Sequence, residues 1–310
     1  MADISGTYRA TSGHHGAVPE GDTIRRLADR ISERFGGQPC TRCVTRDPRL
    51  VGLDLSGDVL VEADAVGKHL FLRFASPDGT RRTVHAHLLM DGRFVVGPAS
   101  KEHTWRRRLE LWFADGRLTG LDVPLLRVVP TDREHELIDH LGPDLCGPVA
   151  PDPSEVAERL RRDPEVPLAG ALLDQRNVAG FGNVYAVELP FIVGVSPNQP
   201  VGSVIGLDGL LAIGTPMIRQ HAAKGPRNTT GKRLATPDHF VYGHQSCPVC
   251  ASLLRHWNDR DSPWGRISSW CPQCQRVDPT RSVDLIRARR LLGLHPVRRD
   301  PMFPRVSADP

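Results

Sequence analysis

Four cysteines toward the C-terminal end carry the plainest chemistry in this 310-residue chain. Cys247 and Cys250 form one C-x2-C pair, and Cys271 and Cys274 form a second pair after a connection of twenty residues. Two such pairs supply the four thiolates of a tetrahedral zinc site with no open position for substrate, so the expected cofactor is one structural Zn2+. The segment is too short for a core of its own, and metal binding would provide most of its folding free energy. Between the pairs, Trp264, Arg266 and Trp270 offer a cation and aromatic surface of the kind nucleic-acid binders use. Cys40 and Cys43 repeat the short spacing without a partner pair and, with Cys146, read as reduced thiols.

A second constellation is "LLDQRNVAGFGNVYAVE" at 172–188, a helix end, a turn with Gly180 and Gly182, and a new helix opening at Asn183. Glycines admit a close backbone, and the first amides of a helix attract anions, so the turn fits a phosphodiester. An ordinary glycine-capped helix hairpin gives the same pattern. His85 and His87 share one strand face but lack an evident third metal ligand, which leaves them structural roles.

The elements that must position these residues follow from periodicity. Ile24, Leu27, Ala28 and Ile31 have helical spacing, so a helix opens at about residue 19 and "GGQP" stops it. From Cys43 to about Val129 short β-type runs such as "LVGLDL", "KHLFLRFA" and "LELWFA" alternate with Gly, Asp and Pro turns, which predicts an antiparallel sandwich or barrel. Beyond Thr131 the pattern turns helical in "REHELIDHL", "SEVAERLRR", "PLAGALLDQ", "GNVYAVELPF" and "LDGLLAIGTPMIRQHAA". Residues 276–310 carry eight Arg against four Asp and read as a solvated basic appendage. The net charge of +4 with clustered arginines permits a polyanionic partner. No apolar run reaches membrane-spanning length, and the first 18 residues lack the pattern of a secretory signal, so a cytoplasmic protein is expected.

Taken together, "PEGDTIRRLADRI" at 19–31, "GKHLFLRF" at 67–74, "LLDQRNVAGFGNVYAVELPF" at 172–191 and "VYGHQSCPVC" through "GRISSWCPQCQ" at 241–275 resemble the formamidopyrimidine-DNA glycosylase and endonuclease VIII family. "PEGDT" and "HLLMDG" look closest to its actinobacterial endonuclease VIII-like branch. The resemblance implies an α+β protein with a β-sandwich at 19–130, a helix-two-turn-helix domain at 131–240, a zinc finger hairpin at 241–276 and a basic tail at 277–310. It implies base-excision repair of DNA: removal of an oxidised base, pyrimidines favoured, and strand cleavage at the abasic sugar by β,δ-elimination. The expected partner is damaged double-stranded or abasic-site DNA, bound by a monomer without membrane association or organic cofactor.

Carried over residue by residue, Pro19 matches the nucleophile that forms a Schiff base at the sugar C1′, and Glu20 the adjacent acid serving the ring oxygen. Lys68 matches the lysine that contacts phosphate and assists β-elimination, and Arg266 the finger arginine of δ-elimination and DNA binding. Asn183, with Gly180 and Gly182, matches the phosphate-gripping turn, and Met90 matches a residue inserted where the flipped base leaves a hole. The chemistry is coherent, because an α-amino group titrates near 8 and a lysine near 10.4, so a terminal amine offers more free nucleophile at neutral pH.

Two departures stand out. The family commonly has a second Glu three residues after the first, where this chain has Thr23, and "GPRNTTGKR" at 225–233, the equivalent of the base-recognition loop, does not resemble the loop that reads oxidised guanine. An internal proline has no free amine, so the lyase reading requires residues 1–18 to be absent, with translation starting at Val18. If the leader is retained, the alternative is a non-catalytic zinc-containing protein that binds damaged DNA.

Overall fold

The computed structural model describes residues 19–98, 103–232, 238–258 and 260–293, so the leader at 1–18 and the last part of the tail, 294–310, lie outside the described residues. Helix α1 (Gly21–Phe35) comes first. Ile24, Ala28, Ile31 and Phe35 recur at helical spacing, are fully buried, and turn this one face onto the strands that follow.

Those strands are β1 (Arg42–Thr45), β2 (Val59–Val66), β3 (His69–Ala75), β4 (Arg81–His87), β5 (Arg93–Gly97), β6 (Arg107–Phe113), β7 (Gly116–Leu121) and β8 (Leu125–Pro130). They form two antiparallel four-stranded sheets, ordered β1-β6-β7-β5 and β2-β3-β4-β8. Leu60, Leu70, Leu72, Phe74 and Val84 from one sheet pack with Leu109, Leu111, Phe113 and Leu118 from the other in a common core. The "LVGLDL" run expected as a strand is instead a 3-10 turn at Pro48–Leu50 followed by loop, because Pro48 and Asp47 cap a turn there.

The second half is helical: α2 (Pro153–Leu160), α3 (Leu168–Leu173), α4 (Asn183–Ile192) and α5 (Leu207–Lys224). Every residue of α4 after Asn183 is buried, which makes it the axis of a second core built with Leu168, Leu172, Leu207, Leu210 and Leu211. "REHELIDHL" gives a 3-10 turn, Thr131–Leu137, without a buried residue. The finger is a hairpin of β9 (Arg255–Trp257) and β10 (Ser268–Trp270). No described helix is long and apolar enough to cross a membrane.

The tail departs from the expectation of a free appendage. Helix α6 (Leu285–Leu291) is capped by the Asp284 side chain, which accepts from Arg287 N at 2.8 Å, and Ala288 is fully buried with Val283, Leu285, Leu291 and Leu292 packed beside it. The apolar spacing of "VDLIRARRLL" carries this docking, which its charge count obscured.

Candidate active site

The site is organised by Glu20, the residue before α1. Its carbonyl starts that helix by accepting from Thr23 N and Ile24 N, while its side chain leaves α1 and runs to the N-terminus of α4. There the carboxylate accepts from Gly182 N at 3.0 Å and Val184 N at 2.9 Å, and it is 1% exposed. Two glycines make this approach possible. A methyl on Gly182 would lie 2.4 Å from Glu20 Cδ, and one on Gly21 would lie 2.7 Å from Gly180 Cα, where Gly21 N donates to Gly180 O at 2.9 Å. The helix-start amides expected to meet a phosphate at Gly180 and Gly182 are therefore engaged inside the protein: Gly182 N holds Glu20, and Gly180 N donates to Gln175 Oε1. A carboxylate beside a helix N-terminus satisfies the same donors that an external anion would.

A buried arginine completes the arrangement, and nothing local in the sequence marks it. Arg227 donates to Asp22 through Nε at 3.0 Å and Nη2 at 2.5 Å, lies 3.5 Å from Glu20 Oε1, and stacks over the Tyr185 ring at 5.4 Å. Burial pushes the Glu20 carboxyl above its ordinary value, against the pull of the Arg227 and Lys68 charges. Asp22 is buried too, but its charge contact and paired hydrogen bonds with Arg227 more than offset burial and hold it below the usual carboxylate range. Two carboxylates two residues apart are thus driven in opposite directions, and Glu20 is the one suited to carry a proton. Behind them, Tyr185 OH meets His221 Nδ1 at 2.7 Å, and burial lowers His221 to about 4.

Lys68 reaches this centre from the β2–β3 hairpin, whose two-residue turn places Gly67 at φ +56°, the left-handed geometry such turns require. Burial lowers Lys68 to about 8; Glu20 opposes the shift, while Arg266 and Arg227 add to it. Arg266 itself is exposed on the turn before β10, and its charge is near enough to act on Lys68. Asn183 ties the two parts together, since its Nδ2 donates to Ile267 O at 2.7 Å, next to Arg266, and its Oδ1 has no hydrogen-bond partner. Pro19 precedes Glu20 and is partly exposed.

Met90 stands apart from this cluster. It lies on the turn after β4, three residues beyond His87, which pairs with His69 beside Lys68, and it is 55% exposed. Its neighbour Leu89 has φ +49°, a strained conformation for a branched residue that presents the Leu89–Met90 tip outward.

The four finger cysteines converge. All four sulfurs lie within 4.8 Å of one another, with Cys247 and Cys274 at 3.9 Å and Cys250 and Cys271 at 3.4 Å, and Cys274 N donates to Cys271 Sγ. This donor set fits a metal ion, and among the described residues it is the one group of three or more His, Cys, Asp or Glu that does. Gln275 anchors it, bonding Cys271 N and Val195 O. Trp264 and Trp270 pack on Trp257, with ring centroids 5.4 and 5.0 Å away, and all three remain partly exposed. His85 bonds His69 at 2.8 Å, and burial first, with neighbouring charges, lowers the two rings to about 4 and about 3, which keeps them neutral.

Comparison with known proteins fits this geometry. Residues 18–122 match the family model of the formamidopyrimidine-DNA glycosylase N-terminal domain. The chain is 38% identical to endonuclease 8 2 of Mycobacterium bovis over 265 residues, spanning 84% of this chain and all of that protein. It is 37% identical over 260 residues to the DNA-(apurinic or apyrimidinic site) lyase Nei2 of Mycolicibacterium smegmatis, covering 83% and 99%. Among solved structures, the fold is similar to Lactococcus lactis formamidopyrimidine-DNA glycosylase bound to abasic-site DNA, with a TM-score of 0.69 at 22% identity over 83% of this chain and 99% of that one.

Proposed function

Because the chain belongs to the formamidopyrimidine-DNA glycosylase and endonuclease VIII family, we propose that it is a base-excision repair enzyme, a bifunctional DNA glycosylase and abasic-site lyase acting on oxidised bases, pyrimidines favoured. The observation that carries the reading is Glu20, a carboxyl raised by burial and fixed beside Pro19 by two amides of α4, with Lys68 and Arg227 around it.

The roles follow from those positions. A free Pro19 amine adds to C1′ of the damaged nucleotide; the bond to the base breaks, and Glu20 supplies a proton to the sugar ring oxygen as the ring opens to the iminium. Loss of a C2′ proton expels the 3′ phosphate, with Lys68 offsetting its charge, and a second elimination expels the 5′ phosphate beside Arg266. Asn183, through its bond to Ile267 O, positions the arginine turn, and its second amide hydrogen can meet a phosphate. Met90 fills the stack where the base is flipped out. The four cysteines hold structural Zn2+, and residues 19–130, 131–240 and 241–276 serve as catalytic, DNA-gripping and finger units of a protein that works on DNA in the bacterial cytoplasm.

The reaction needs a chain whose first residue is Pro19. In the 310-residue sequence Val18 acylates that nitrogen, which favours a second reading for the long form, a protein that binds damaged DNA without cleaving it. Borohydride trapping on abasic-site DNA separates the two. A chain starting at Pro19 should form the covalent complex and a chain starting at Met1 should not; equal trapping by both would rule out the terminal amine. A panel of duplexes, each with one oxidised base, then ranks the lesions.

A further inference from the structure

The docked tail touches the site from behind. Val283 N donates to Ile205 O at 2.9 Å and Asp284 N to Val193 O at 3.0 Å, which fixes the entry to α6. Arg287 then covers the C-terminal end of α4: its Nε and Nη2 donate to Phe191 O at 3.3 Å each, and its guanidinium lies over the Phe191 ring. That is the end where a cation favours the helix dipole, and the opposite end of α4 holds Glu20. Past α6, the chain reaches the segment that carries Arg227. A methyl placed on Gly231 would lie 2.9 Å from Leu292 O, so the two backbones are in contact. The same segment is tied to α4 by Thr229 Oγ1, which donates to Glu188 Oε2 at 2.6 Å.

We propose that residues 282–293 are a positioning strut for the reaction: by bracing the C-terminal end of α4 and the 225–232 segment together, they hold Arg227 against Glu20 and Asp22. The physical reason is lever-like. Arg227 lies in no helix or strand, and its segment, from the end of α5 to residue 232, has as its backbone ties an isolated bridge from Asn228 to Asp238 and turn contacts. Buried ion pairs tolerate little displacement, because partial separation leaves charges without water or partner. A contact four residues from Arg227 and a cap on the helix that orients Glu20 act on both sides of one pair. No residue of the strut is among the groups proposed above to meet DNA or to carry the chemistry. It rests on the glycosylase and lyase reading for its catalytic consequence, but its structural part stands alone.

The test uses the complete chain beginning at Pro19, with Ala288→Glu to undock α6 and Arg287→Met to remove only the cap. Hydrogen exchange should quicken at Thr229 and Gly231 in both variants, whatever the activity. Excision of an oxidised base from duplex DNA should fall about three- to tenfold. The limb of its pH profile that depends on Glu20 should move to higher pH, since a carboxylate that loses a cation holds its proton more firmly. Ala288→Gly, which adds no bulk at the docked face, should leave both close to the parent. Loss of folding in Ala288→Glu alone leaves Arg287→Met to decide. Unchanged exchange at 226–232 with an undocked α6, or a slower enzyme whose pH limb has not moved, would overturn the strut. A parent chain that fails to trap abasic-site DNA instead overturns the lyase reading, while the exchange result still judges the brace.

Discussion

Glu20 and Met90 are both assigned parts in the proposed reaction, yet they are held in opposite ways. Glu20 is enclosed by α1, α4 and the 225–232 segment, with two amides and an arginine on its carboxylate. Met90 stands on a strained turn with more than half its surface in water. On the proposed function, the difference separates two tasks. A group that must keep an unusual proton affinity needs a fixed, dry surrounding, whereas a group that must enter another molecule has to remain outside its own core. Arg266 belongs with Met90 in exposure, but it stands on the hairpin where the four cysteines converge, and on the proposed function its order depends on the metal they hold.

That dependence predicts the largest effect. Binding of a structural zinc ion supplies on the order of 10 kcal/mol in isolated finger modules, and this hairpin has β-strands of only three residues each. A chelator should therefore release metal, abolish the native exchange protection of 246–275 and lower DNA affinity, while the sandwich keeps its own unfolding transition. Metal content and anisotropy on abasic-site DNA check it. Full DNA affinity without metal would detach Arg266 from binding.

On the enclosed side, Arg227→Met should cost about 3–5 kcal/mol in denaturant unfolding, because it strands Asp22 and Glu20 in a site closed to water. Asp22→Asn in the same background should recover part of the loss. A cost below about 1 kcal/mol would mean that the cluster is open to water and that the contrast with Met90 is one of degree.

A smaller effect is expected at Lys68, which is partly buried beside Glu20. With its amine at about 8 in the fold and near 10.4 unfolded, the unfolded chain binds the extra proton between those values. The Lys68 contribution to stability therefore rises with pH across that window and is at its most unfavourable below about 8. Its attraction for phosphate runs the other way. DNA affinity at fixed salt should fall between pH 7 and 9, and Lys68→Arg, which stays charged, should flatten that dependence. A slope unchanged by the substitution would assign the titration elsewhere, with the Pro19 amine as the next candidate.

How far the sequence discloses this design depends on the range of the interactions. The α1 face, the four main helices and the paired cysteines are local patterns, readable from spacing within a few turns. The Glu20 environment is not, since Arg227 lies 205 residues from Asp22 and its segment has the composition of an ordinary polar loop. Glycine spacing at 180–182 signalled a close approach, but not that the approaching group would be the protein's own carboxylate. The tail was legible and was hidden by its charge: Leu285, Ala288 and Leu291 follow helical spacing behind an Asp cap, among arginines that dominate the count. The contact of Trp264 and Trp270 with Trp257 was likewise not legible, because it forms only when the hairpin closes.

Met90 gives the smallest effect on the fold and the sharpest test of the contrast. An exposed turn side chain makes few contacts within the protein, so Met90→Ala should change unfolding free energy by no more than about 0.5 kcal/mol. Its loss should appear only where a stacked duplex must be held open. Excision from double-stranded DNA should drop about tenfold, since unstacking a base costs a few kcal/mol and the wedge offsets part of that cost. An abasic site in single-stranded DNA has no stack to fill, so cleavage of that substrate should stay within about twofold of the parent, for the same reason. Equal losses on both substrates would place Met90 in the chemistry with Glu20, whereas no loss on either would leave the turn without a part in opening the duplex.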